Sequence, residues 1–345
     1  MKKHGESAGR MAWKLAAQAA LCACVGLFSL TGCKAKSDDA QGTASSGAVS
    51  TAAGGLVPAA AQSAMDDAPA PDTVDGFDGK KAFMHVAKQA SFGPRPSGSP
   101  AIAQTQEYIL KQLKSYGCTV DVDAFNADTP VGKLPMKNIL VKIPGDDASI
   151  ILLGTHYDTV LRKDITFVGA DDGGSSTAVM LELARLLCPT HGKHAVWIAF
   201  FDGEEAMKAW SDTDSRYGSR QMAARFAASG DVKKIKAFLL ADLVGSKSLH
   251  FMRDPSSKKL TDLVWATADK LGYSEIFVDQ SAPIQDDHDS FLARGVPAVD
   301  VIDLDRSVDV PFWHTADDTL DKVDAKSLAI TGHVFLESIA ALQKQ

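Results

Sequence analysis

Residues 195–205 read Ala-Val-Trp-Ile-Ala-Phe-Phe-Asp-Gly-Glu-Glu. An unbroken apolar run of this length, halted by a glycine among acids, reads as a strand buried on both faces, the form strands take in parallel sheets. Working outward, Gly173–Leu187 has helical periodicity and Ile150–Leu153 is a second apolar strand. Downstream come a helix over Tyr217–Ala228, a strand over Ala237–Leu240, a helix over Leu260–Leu271, a strand over Ala298–Ile302 and a closing helix over Ser327–Leu342. Upstream, Lys80–Gln89 and Ala101–Tyr116 read as helices on either side of the rigid loop Phe92-Gly93-Pro94-Arg95-Pro96, and Thr119–Phe125 and Asn138–Ile143 read as strands. Strands alternating with helices predict a three-layer α/β/α sandwich around a mainly parallel, mixed central sheet. In such sheets function collects in loops past the carboxyl ends of the strands.

The ends of the chain read differently. Lys2, Lys3, Arg10 and Lys14 precede an apolar run from Leu15 to Leu30, the pattern of a secretory signal. The run is too short, and too rich in Ala, Cys and Gly, for a membrane-spanning helix. It ends in Leu30-Thr31-Gly32-Cys33, which resembles the lipobox of bacterial lipoproteins. Residues 1–32 are therefore expected to be a lipoprotein signal peptide, and Cys33 the lipidated residue that anchors an exported protein to a membrane of the bacterial envelope. Residues 34–75 are dominated by Ala, Gly, Ser, Thr and Pro and contain no aromatic residue. With Cys33 they are expected to form a disordered tether over 33–75, leaving a catalytic domain over 76–345. Of the five cysteines, Cys22 and Cys24 leave with the signal. Cys118 and Cys188 remain, read as two buried thiols, with a disulfide as the alternative in an oxidising compartment.

Composition excludes little but points consistently. Of 345 residues, 45% are apolar and 23% charged, ordinary for a globular enzyme. The net charge of −7 argues against a nucleic-acid partner, which a basic surface would serve.

Chemistry gathers in acids and histidines just past strands. His156 follows the strand Ile150–Leu153, with Asp158 two residues on, where a carboxylate can accept the second ring N–H of a ligating histidine. Gly169-Ala170-Asp171-Asp172-Gly173-Gly174 opens a helix, and its glycines let the backbone turn sharply around the acids. Glu204 and Glu205 end the most apolar strand, where one can bind a metal while the other acts as a base on what the metal binds. Asp242 ends the strand at 237–240, Asp286-Asp287-His288 precedes a short helix, and Trp313-His314-Thr315 comes late, followed by Asp317 and Asp318. Each taken alone reads equally as a cap or a solvated loop. Together, they imply a metal-dependent enzyme. His85, His191, His194, His250 and His333 have no acidic constellation nearby and read as core or surface residues.

This ordered set resembles the zinc aminopeptidase superfamily, across roughly residues 80–345. The pattern of that superfamily, His-x-Asp, Gly-x-x-Asp, Glu-Glu, Asp and a late His, falls on His156/Asp158, Asp172, Glu204/Glu205, Asp242 and His314. Two longer strings resemble the animal-type glutaminyl-peptide cyclotransferases in particular. They are Phe200–Ala206 with Trp210 and Asp214-Ser215-Arg216-Tyr217-Gly218-Ser219-Arg220, and Ile284-Gln285-Asp286-Asp287-His288 with Phe291, Gly295-Val296-Pro297 and Trp313-His314-Thr315. The chain departs from the animal pattern in lacking a cysteine beside His156, where Thr155 stands, and in a longer segment between Pro297 and Trp313. The resemblance implies one zinc ion per chain, held by Asp172, Glu205 and His314. It further implies Glu204 as the proton-transferring base, Asp242 and Asp286 as a carboxyl pair sharing a proton, and Trp210, Gln285 and Trp313 as substrate-binding residues. The implied substrates are peptides with N-terminal glutamine, closed to pyroglutamate with release of ammonia. The alternative is a zinc aminopeptidase, with a second metal on His156 and Asp242 beside Asp172.

Overall fold

A computed structural model describes residues 59–304 and 311–345. The signal peptide, Cys33 and the first part of the tether lie outside the described residues, as does part of the long segment between Pro297 and Trp313. In chain order the helices are α1 (Ala59–Asp66), α2 (Gly79–Ala90), α3 (Pro100–Ser115), α4 (Gly174–Leu187), α5 (Tyr217–Ser229), α6 (Lys258–Lys270), α7 (Asp289–Leu292) and α8 (Ala325–Gln343). The strands are β1 (Val120–Thr129), β2 (Gly132–Ile143), β3 (Ile150–His156), β4 (Ala195–Phe201), β5 (Ile235–Asp242), β6 (Phe251–Arg253), β7 (Phe277–Ser281) and β8 (Ala298–Ile302).

Six strands form one mixed sheet in the order β1-β2-β4-β3-β5-β8. β4, β3, β5 and β8 run parallel, and the hairpin β1–β2 adds two antiparallel strands beside β4. From β3 the chain crosses to β4 on one side, then returns past β3 to β5 on the other. The carboxyl end of β3 is therefore a topological switch point, where an open α/β sheet leaves a crevice. Strand side chains alternate between two cores, as a pleat of period two requires. Ile151, Leu153, Ile198, Leu239 and Val299 pack beneath α2, α3, α4, α6 and α8. Leu152, Ala199, Phe201 and Leu240 pack on the other face against Met222 and Phe226 of α5 and Phe291 of α7. This is the expected three-layer α/β/α sandwich.

Local signals account for the starts of α2 and α3. Asp78 and Ser99 accept the backbone N–H of Lys81 and Ile102 as N-caps of α2 and α3, and Pro100 opens α3. Two short elements escaped the sequence reading. β6 and β7 form a separate two-stranded parallel ribbon, too short and, in β7, too polar to stand out by pattern.

The tether expectation is corrected at its carboxyl end. Ala59–Asp66 is a helix that packs on α8, and Ala64, Met65 and Val74 are buried in the larger core. A few apolar residues in an Ala-rich stretch suffice once α8 offers a surface, so composition alone placed the boundary too late.

The reading of two buried thiols is corrected as well. Cys118, just after α3, and Cys188, the C-cap of α4, form a disulfide with 5.2 Å between Cα atoms. It closes a loop of 70 residues, so it removes chain entropy from the unfolded state, an effect of about 2–4 kcal/mol in typical cases. Cys118→Ser/Cys188→Ser is accordingly expected to lower the thermal midpoint by several degrees in calorimetry, and a reducing agent to have the same effect on the wild type. An unchanged midpoint in both would show that the crosslink contributes nothing.

Candidate active site

The site is built where β3, β4 and β5 end. His156 is the last residue of β3 and Asp242 the last of β5, while Glu204 and Glu205 lie just past β4. Asp172 comes from the loop between β3 and α4, and His314 from the segment before α8. His156 Nε2 lies 3.0 Å from Asp242 Oδ1 and 3.3 Å from Asp172 Oδ1. His314 Nε2 lies 3.2 Å from Asp172 Oδ2 and 3.0 Å from Glu205 Oε1. Two groups of donors result, His156–Asp172–Asp242 and Asp172–Glu205–His314, each with ligand atoms within 4.8 Å of one another and with Asp172 common to both. One nitrogen and two carboxylate oxygens converging in each group match the donor chemistry of zinc. The sequence-derived ligands are thus together, and both donor sets proposed from sequence exist as geometry.

Buried acid carries the electrostatics. Burial pushes the Glu204 carboxyl well above its usual range, and Asp286 and Glu205 add to the rise. Burial, then Asp242 and Asp287, push Asp286 up in the same way. Burial and Asp172 bring Glu205 up to about 7. Asp172 goes the other way, because His156 and His314 outweigh the effect of its burial and hold it below the carboxylate range. His314 is pushed up to about 10, since Glu205 and Asp172 outweigh its burial. Clustered acids that can ionise together only with protons or a cation between them are a fit for a divalent metal.

Asp158 does more than orient a ring. Its Oδ1 is 3.6 Å from His156 Nδ1 and also accepts the Glu204 N–H at 3.1 Å, while Oδ2 accepts the Glu205 N–H at 3.3 Å. One buried carboxylate therefore fixes the ends of β3 and β4 together. His288, singled out with His156 and His314, stands apart from both donor groups. It caps α7, fully buried, with Nε2 3.4 Å from Asp254 Oδ2.

The acids floor a cavity of about 700 Å³ whose wall includes Trp210, Ile284, Gln285 and Trp313. Trp313 stacks on His314 with ring centres 4.0 Å apart and planes 19° from parallel. The string around residue 214 gains a physical meaning here. Asp214 accepts the backbone N–H groups of Met207, Lys208 and Ala209, and Arg216 sits 5.4 Å from the Trp210 ring while pairing with Asp289 and Asp212. Backbone strain gathers around the site too: Arg216, Leu243 and His314 all have positive φ without being glycine.

Two supports were missed in sequence. Arg95, read only as part of a rigid loop, is fully buried behind Asp172, and Asp318 accepts the backbone N–H of both Asp171 and Asp172. An arginine inside a protein has no local sequence signature, because the carbonyls it satisfies come from elsewhere in the chain.

Asp202 lies just past β4 and is buried among Ser97, Gln106, Tyr157 and the Lys137 N–H. Burial and neighbouring Asp158 push its carboxyl up to about 7. A folded-state value above the unfolded one gives stability that is fully present below the unfolded value, about 3.8, and is lost as pH rises through about 7. Asn can keep the arrangement by presenting its oxygen to Gln106, Tyr157 and Lys137 and its NH₂ to Ser97. Asp202→Asn is expected to flatten the fall in unfolding free energy between about pH 4 and pH 7 relative to wild type, measured by denaturant titration. Parallel pH profiles for the two proteins would refute the assignment.

Comparison with known proteins agrees with this geometry. The family model for peptidase family M28 matches residues 138–339. A glutaminyl-peptide cyclotransferase of Drosophila melanogaster is 30% identical over 261 residues, covering 67% of this chain and 72% of that protein. Among solved structures, a glutaminyl cyclase from an Acidobacteriales bacterium superposes with a TM-score of 0.74 at 39% identity, covering 84% of this chain and 99% of the other. A Zn-dependent exopeptidase from Parabacteroides distasonis superposes with a TM-score of 0.69 at 26% identity, covering 76% and 98%.

Proposed function

This chain belongs to peptidase family M28, and on that premise we propose that it is a zinc-dependent glutaminyl-peptide cyclotransferase acting on peptides and proteins with N-terminal glutamine. The observation that carries the reading is Trp313 stacked on His314, with Trp210 on the same cavity wall, beside Glu204 and the Asp172–Glu205–His314 set. Aromatic walls suit the flat carboxamide of a glutamine side chain. The names of the Drosophila and Acidobacteriales proteins support the same reaction.

Asp172, Glu205 and His314 would hold one zinc ion per chain, which would supply Lewis acidity toward the amide oxygen of the substrate. The residues of the chain do the rest. Glu204 takes a proton from the substrate α-amine, which forms the new C–N bond to the side-chain carbonyl carbon, and returns it to the amide nitrogen as that C–N bond breaks and ammonia leaves. Such positioned proton transfer contributes roughly 10²–10⁴-fold. Asp286, its carboxyl pushed up by burial and then by Asp242 and Asp287, lines the cavity together with Asp242, and the role assigned to the two is a carboxyl pair that shares a proton and orients the intermediate. Gln285 and the two tryptophans hold the glutamine so that amine and amide meet in a unimolecular step. A second reading, zinc aminopeptidase, is favoured by the intact His156–Asp172–Asp242 set and by the exopeptidase neighbour.

The proposal extends to place. Leu30–Cys33 supports export and lipid anchoring through Cys33 to an envelope membrane, and the Cys118–Cys188 disulfide fits an oxidising compartment. Cys33→Ala should move the protein from membrane to soluble fractions. Unchanged partitioning, with no lipid on the wild-type terminus, would remove this part.

Glu204→Gln should retain zinc by elemental analysis and lose at least about 10²-fold in turnover, because the amide cannot serve as a base. A Gln-initiated peptide should lose the mass of ammonia with its other residues intact, faster as pH passes the model terminal amine value of roughly 7.7–8.0. Free amino acids released from Leu-initiated peptides, with two metals bound and no loss of ammonia from the Gln peptide, would replace cyclisation with the aminopeptidase reading.

A further inference from the structure

We propose that Arg95 and Asp318 act as a two-sided clamp on the loop between β3 and α4, positioning Asp172 for the metal. The proposal rests on the zinc reading above for its function, but its geometry stands on the chain alone.

The loop from Tyr157 to Gly173 contains no helix or strand, yet it delivers the one residue common to both donor sets. Its last part, from Val168 to Asp172, is held by two residues from distant parts of the sequence. Arg95 is 0% exposed. Its Nε donates to the Tyr157 carbonyl at 2.9 Å, one terminal nitrogen to Val168 at 2.5 Å, and the other to Gly169 at 2.8 Å and Asp172 at 3.3 Å. Asp318 works from the opposite polarity. Its two carboxylate oxygens accept the N–H groups of Asp171 at 2.7 Å and Asp172 at 3.1 Å, and its own carbonyl accepts that of Ala170 at 3.3 Å. Each residue from Val168 to Asp172 thus has a backbone group held by one jaw or the other.

Arg95 and Asp318 are both buried and within electrostatic reach of each other, but no ion pair joins them among the described residues; each makes hydrogen bonds to loop backbone instead. That choice needs a planar fork with donors aimed in several directions, which lysine lacks. The loop leaves no slack for an alternative. A Cβ on Gly169 would come within 2.5 Å of the Asp172 carbonyl oxygen, and one on Gly173 within 2.6 Å of the Asp158 carbonyl oxygen. Arg95 also places a fixed positive charge near Asp158, Asp172 and Glu205.

Three variants test the clamp: Arg95→Lys, Asp318→Asn and the double variant. Zinc affinity is measured by competition with a chelator, and amide exchange of residues 168–172 is followed in the zinc-free protein. Each single variant is expected to bind zinc roughly 10–100-fold more weakly, the range for groups that orient metal ligands. Loop amides should exchange faster while those of β3 and β5 stay protected. The double variant should bind zinc about as weakly as the worse single one, because both jaws act through Asp172. A lowered thermal midpoint with zinc affinity within about twofold of wild type would overturn the proposal and leave a purely structural role. Should Arg95→Lys fail to fold, Asp318→Asn decides by the same criteria. A wild type that binds no zinc counts against the zinc reading instead, and loop exchange alone then decides the clamp: protection unchanged in the variants would overturn it.

Discussion

Negative charge buried at the carboxyl ends of β3, β4 and β5 is the constraint on which the site depends. A carboxylate taken out of water is costly unless it is paired, protonated or bound to a cation. The chain meets that cost with several devices at once. His156 and His314 lie between acids, Arg95 sits behind them, and Glu204 and Asp286 have their carboxyls raised by burial. The parallel strand order makes the crowding unavoidable, because the switch point beside β3 collects the ends of three strands in one crevice.

The walls around this charge are held by separate means. Trp210 rests on a loop tied by Asp214 and stacked by Arg216, whereas Trp313 rests on His314 itself. His314 adopts a left-handed backbone, and its carbonyl accepts from Arg162 at 2.7 Å, while Phe167 meets its ring edge-on. A conformation that costs on the order of 1–3 kcal/mol persists only when its surroundings over-determine it, as these contacts do.

Much of the fold was legible because its strands are apolar runs cut by glycine and its helices carry caps next to periodic faces. The alternation of strands and helices around Ala195–Phe201 gave the type of sheet away, and the acids past β3, β4 and β5 marked the mouth of the site. The failures share a cause: they depend on partners distant in sequence. Ala64, Met65 and Val74 belong to the fold only because α8 and the larger core receive them. Cys118 and Cys188 meet only because the end of α4 comes back beside the start of β1. Arg95 is buried only because the carbonyls of a loop some 60 to 80 residues away turn toward it. Residue type and spacing carry no record of such meetings.

Asp158 has one more consequence, for how this scaffold can change. Its carboxylate holds the N–H groups of Glu204 and Glu205 at once, so the two glutamates form a single rigid unit. A substitution that shifted one of the pair would drag the other. Trp313 is tied to the floor through His314, whereas Trp210 and Gln285 stand on other segments of the wall. A substitution at Trp210 or Gln285 would therefore alter the wall of the cavity without moving the Glu204–Glu205 pair.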